Sequence, residues 1–108
     1  MVARDPRYAT FPTEVGVSQL RWLIDNVVNG NLPVEELIHS FRSIHEAIEH
    51  SGPPHYKSKA EARLIWDLLW PLEFYTPDKT QTESPAEWND AIDIMAEVKR
   101  VAKHLQDL

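Results

Sequence analysis

The stretch from Ala62 to Asp78 leaves this chain the fewest ways to fold. Leu64, Ile65, Leu68, Leu69 and Leu72 recur at helical spacing, with Trp66 and Trp70 one turn apart on the flank. A helix apolar over so much of its circumference is expected to be covered from several sides. Trp66, Trp70 and the later Trp88 are accordingly read as core or core edge, although one of them at the rim of an acidic patch would make a good interface anchor. Pro71 has no backbone N–H and clashes with the preceding turn, so it should end or kink the helix. Leu72 to Asp78 then forms an aromatic, acidic exit that can reach the surface.

The flanking segments supply partners for this helix. A first helix is expected from Thr13 or Ser18, both suitable N-caps, with Leu20, Leu23, Ile24, Val27 and Val28 buried and Trp22 beside them. Asn29-Gly30-Asn31 closes it, Gly30 taking the left-handed position past the helix end. The second helix opens at Pro33, gains Glu35 and Glu36 in its first turn, and repeats Leu37, Phe41, Ile44 and Ile48. Ser51-Gly52-Pro53-Pro54 stops it. Ser58-x-x-Glu61 has the form of a capping box and starts the central helix, and Ser84-Pro85-Ala86-Glu87 repeats the device before a fourth. That last helix is expected to bury Trp88, Ala91, Ile92, Met95, Val98, Ala102 and Leu105, with Lys99, Arg100 and Lys103 toward its end. No segment alternates like a strand. The expected fold is all-α: a single-domain antiparallel four-helix bundle over residues 13–108, preceded by an extended N-terminal arm, residues 1–12, lying on the bundle through Tyr8 and Phe11.

Composition excludes several classes of function. The absence of cysteine removes disulfides, thiolate metal sites and a cysteine nucleophile. No apolar run approaches the roughly 18 residues of a membrane-spanning helix, and the first residues lack a secretory signal, so a cytoplasmic protein that does not contact membrane is expected. The net charge is −6, and its excess is uneven: between Glu61 and Glu97 there are nine acids and two bases. Phosphates need a basic surface, which argues against nucleic acid and for a basic protein partner.

Chemistry has little support. Only three glycines are present, and none forms a phosphate loop. Glu36-x-x-His39 has the spacing of a di-metal helical motif but lacks a second copy, so no metal or other cofactor is expected; a metal-dependent enzyme built on Glu36, His39 and Glu46 is the weakest alternative. His45/Glu49 and Glu46/His50 read equally well as solvated pairs four residues apart. Asp90, Asp93 and Glu97 run along one side of the fourth helix, where an exposed face is their ordinary home. Ser18, Ser58 and Ser84 are caps before they are nucleophiles, so no catalytic residue is assigned.

The order of motifs nevertheless resembles a known family. An apolar helix from Leu23-Ile24 closes with Val28-Asn29-Gly30-Asn31-Leu32-Pro33-Val34-Glu35-Glu36-Leu37. An aromatic-bearing helix follows, then Leu64-Ile65-Trp66-Asp67-Leu68-Leu69 leading into Leu72-Glu73-Phe74-Tyr75-Thr76-Pro77-Asp78, and a last amphipathic helix. Over residues 20–105 this resembles the colicin D immunity proteins and the related immunity proteins of contact-dependent growth inhibition. The chain departs from that pattern at Trp70-Pro71 and in its proline-bearing arm.

The resemblance implies a small helical inhibitor that occludes a toxin's active site, the toxin being a basic nuclease domain, in the colicin D case tRNA-cleaving. Glu73, Tyr75 and Asp78 match the exit motif and Asp67 the acidic position inside the helix; Glu83, Glu87, Asp90, Asp93 and Glu97 would be supporting charges. The protein would be a monomer or weak homodimer. A non-catalytic helical interaction or regulatory module, docking a partner helix through an apolar groove, is the alternative. The inhibitor reading requires the carboxylates to gather on the outside without being neutralised by the chain's own lysines and arginines.

Overall fold

The computed structural model describes residues 6–50, 56–78, 80 and 88–108. Among the described residues, four α-helices form a bundle: α1 (Val17–Val28), α2 (Val34–His50), α3 (Lys59–Glu73) and α4 (Ala91–Gln106). α1 packs mainly on α2 and α3 mainly on α4, while α4 also reaches α1 and α2. Helices α2 and α3 touch only sparsely. No described helix is long and apolar enough to cross a membrane.

The core is one cluster that draws on all four helices. Leu20, Leu23, Ile24 and Val27 of α1 meet Leu37, Phe41 and Ile48 of α2, Ile65, Leu68 and Leu72 of α3, and Ile94, Val98, Val101 and Leu105 of α4. Phe41 and Leu68 are fully buried. Truncating either to alanine should cost about 2–5 kcal/mol by denaturant unfolding, through lost transfer energy and the cavity left behind.

The helix ends explain where the chain turns. Gly30 sits at φ 80°, a conformation L side chains rarely adopt, and closes α1 as its position after Asn29 requires. Neither Thr13 nor Ser18 caps α1: its N-cap is Gly16, with no side-chain bond, and Ser18 lies inside the first turn. Ser58 caps α3, its Oγ accepting from the Glu61 amide at 3.1 Å. The reciprocal half of that box is shifted by one residue, since Glu61 accepts from the Lys57 amide at 3.0 Å.

Pro71 does not stop α3 at once. The helix runs on to Glu73 and then tightens, Phe74 N donating to Pro71 O and Tyr75 N to Leu72 O at 3.3 Å each. Past that point an isolated bridge pairs Tyr75 with Asn89. Asn89 N donates to Phe74 O at 2.7 Å, and Thr76 N donates to Asn89 O at 2.8 Å, so the link between α3 and α4 is pinned at its base.

The expected start of the fourth helix is corrected. The motif at residues 84–87 lies outside the described residues, and α4 begins only at Ala91. Its capping box is Asp90-x-x-Asp93, with each carboxylate accepting from the other residue's backbone amide at 3.0–3.1 Å. Trp88 therefore precedes the helix and packs edge-on against Phe74. The buried stripe is rotated as well: Ile94 and Val101 are fully buried, whereas Ile92 is 80% exposed.

Among the described residues of the arm, Pro6–Tyr8 form a short 3-10 turn, and Tyr8 and Phe11 pack on the bundle as expected. Tyr8 stacks on Trp22 with ring centroids 5.3 Å apart, and Phe11 meets the same ring edge-on at 5.0 Å.

Candidate functional site

The two flanks of the bundle treat their aromatic and charged side chains differently. On the arm flank the buried and half-buried polar side chains find internal partners. Trp22 Nε1 donates to Thr10 Oγ1 at 3.0 Å and Gln19 Nε2 to the Pro12 carbonyl at 2.8 Å. Glu36 accepts from Arg7 at 2.9 Å and from the Tyr8 hydroxyl at 2.7 Å, which makes it the latch of the arm. Glu61 is 1% exposed, and its charge is met by Arg21 at 2.7 Å. A buried carboxylate persists only with such partners.

The α2–α3 flank is open. A cleft of about 220 Å³ lies there, with Arg42, His45, Glu46 and Glu49 on the α2 side and Trp66, Leu69, Trp70 and Glu73 on the α3 side. The tryptophans are outward against expectation: Trp66 is 45% and Trp70 66% exposed, and Phe74 at the helix end is 46% exposed. Spacing by four places these three along one side of α3. The reason lies in the packing. Ile65, Leu68 and Leu72 turn to the core, α4 covers one side, and the sparse contact with α2 leaves the other side uncovered.

A buried polar group forms the floor of the cleft. His45 is not part of a solvated pair; it is buried with its ring edge-on to Trp66 at 5.0 Å. Its Nδ1 is 3.6 Å from Glu49 Oε1, and its Nε2 is 3.4 Å from the Tyr56 hydroxyl. Burial pushes the Tyr56 hydroxyl above the usual phenol range, and the Glu49 and Glu61 carboxylates push it further.

The nine residues named from sequence do not form one array. Asp67 and Glu73, six residues apart, leave α3 on different sides: Asp67 is 3.9 Å from Arg100, while Glu73 crosses the cleft to Arg42 at 3.0 Å. Glu97 also holds Arg100, at 2.9 Å. Asp90 and Asp93 are committed to the α4 capping box. Asp78 Oδ1 accepts from the Thr80 amide at 2.9 Å and the Thr80 hydroxyl at 2.6 Å, shaping a turn. Tyr75 is half-buried at the bridge to Asn89. Glu83 and Glu87 lie outside the described residues. Three of the chosen carboxylates are thus matched by the chain's own arginines, contrary to the requirement set by a bare acidic decoy.

Sequence reasoning noticed His45, Glu46 and Glu49 of α2 only as surface pairs or a metal alternative, and it left out Arg42. Their spacing of three and four residues was available as a signal that they share one face of the helix. Among the described residues, no three His, Asp or Glu side chains are grouped to hold a metal ion. No known family, curated protein or solved structure matches the chain.

Proposed function

We propose that the chain is a non-catalytic inhibitor of the immunity type, which binds a basic nuclease toxin domain and covers its active site. The contact face would be the α2–α3 flank together with the exit from α3. The single observation that carries this reading is the exposure of Trp66, Trp70 and Phe74 along α3, beside the carboxylates of Glu46, Glu49 and Glu73. Interfaces concentrate their energy in large aromatic anchors ringed by polar groups, and contiguous exposed apolar surface commonly marks such sites.

This location replaces the purely acidic surface expected from sequence. Glu73 and Tyr75 stay within or beside the face, whereas Asp90, Asp93, Asp67 and Glu97 have internal partners that account for them. The Arg42–Glu73 pair is half-exposed on both sides, so it is easily exchanged for a partner's arginine or lysine.

The test is to look beside this chain's gene for a large protein with a basic C-terminal domain and to co-express that domain with the chain. Survival of the host, and a complex that copurifies and weakens as salt rises, is the expected outcome. Unrelieved toxicity with no complex would overturn the reading. A complex insensitive to ionic strength would favour the apolar interaction module instead.

A further inference from the structure

Resting on the inhibitor reading of this flank, we infer that the cleft between α2 and α3 is a receptor for one cationic side chain of the partner, an arginine in preference to a lysine. Three carboxylates, Glu46, Glu49 and Glu73, border it against one guanidinium, that of Arg42. Arg42 is already matched by Glu73 at 3.0 Å, which leaves the cleft negative. Trp66 and Trp70 supply aromatic surface in the same cleft.

The combination selects its occupant. An apolar side chain would fill the cleft at the cost of desolvating carboxylates without pairing them. An anion would meet repulsion. A guanidinium stacks on an indole face and at the same time donates to a carboxylate through its planar fork, so each element of the lining has a use for it. A volume of about 220 Å³ accepts one side chain and excludes a helix. The floor is firm, because His45 is buried against Trp66 and held between Glu49 and Tyr56.

The experiment needs no toxin. The intact chain, labelled at the indole nitrogens, is titrated with N-acetyl-arginine amide and, separately, with the neutral near-isostere N-acetyl-citrulline amide. The Trp66 and Trp70 indole signals should shift saturably with arginine and not with citrulline, while Trp22, under its arm, stays still. Glu46→Gln should weaken the response about two- to fivefold, the upper scale of an exposed ion pair. Trp70→Ala should weaken the shift at Trp66 by at least as much. Both variants replace exposed side chains, and unchanged melting temperatures confirm that they fold. Equal responses to arginine and citrulline, or no response at millimolar probe, would overturn the assignment. So would a Trp70-dependent dimer in sedimentation, which would place a second copy on the cleft. Toxin binding with no arginine response would sink the cleft alone; an arginine response without toxin binding would sink the inhibitor reading alone.

Discussion

Trp22 and Trp70 begin from the same sequence position, the flank of an apolar helical stripe, and end in opposite environments. Trp22 is roofed by Tyr8 and Phe11 and hydrogen-bonded to Thr10. Trp70 is two-thirds exposed. The arm accounts for the difference: the chain has a segment to cover its α1 flank, and among the described residues no segment lies over the α2–α3 cleft. On the α1 flank the protein's own arm covers the tryptophan, and on the α2–α3 flank no described segment does so. The same contrast holds for charge, since Glu61 and Glu36 on the arm flank are held by Arg21 and by Arg7 with Tyr8, whereas Glu46 is exposed.

Several substitutions would break or sharpen this contrast. The largest effect is expected at Arg21→Ala, which leaves the Glu61 carboxylate buried without its cation. The cost should be about 2–4 kcal/mol in chemical denaturation, somewhat below that of a fully buried pair because Arg21 is partly exposed. Trp22→Ala should follow at about 2–3 kcal/mol, while Trp70→Ala stays within about 0.5 kcal/mol of the parent. Equal losses at the two tryptophans would abolish the distinction between the flanks.

Glu36→Gln removes the charge that binds Arg7 and Tyr8 and should cost about 1 kcal/mol. It should also speed amide exchange over residues 6–12, an effect Glu46→Gln should not reproduce. The smallest effect concerns pH. The Tyr56 hydroxyl titrates above its ordinary value of 10.0 in the folded chain, so its contribution is fully present below that pH. The contribution is lost as pH rises from there through the elevated folded value. Tyr56→Phe should flatten that alkaline limb of the stability curve and leave the neutral region's slope unchanged.

The architecture was legible in the sequence because helix periodicity and end signals are local. Ser58, Gly30 and the α1 stripe of Leu20, Leu23, Ile24 and Val27 act through residues within a few positions of themselves. Errors arose where two local signals competed or where tertiary contact decided. Asp90-x-x-Asp93 is a capping box of acids alone, and it took the α4 start that a serine–proline motif had been expected to hold. Pro71 removes the donor that the Asp67 carbonyl would have received, and the helix continues only two residues beyond it, to Glu73.

The candidate site was legible only in part. That Glu73 sits at the end of α3 follows from its position, but its pairing with Arg42, thirty-one residues earlier, depends on how α2 lies beside α3. The outward turn of Trp66 and Trp70 has the same origin. A helical period identifies which residues share a face, and only the neighbouring helices determine whether that face is covered. His45 illustrates the converse, a polar residue drawn inside because Trp66 and Tyr56 close over it.

The central proposal is that the α2–α3 flank serves a partner and the arm flank the fold. Affinity for the proposed basic toxin domain, measured by titration calorimetry on the parent, Trp70→Ala and Glu36→Gln, tests it most directly. The account predicts a loss of about thirtyfold or more for Trp70→Ala at unchanged melting temperature, and near-parental affinity for Glu36→Gln despite its loosened arm. Parental affinity in Trp70→Ala, with the loss appearing in Glu36→Gln instead, would contradict it.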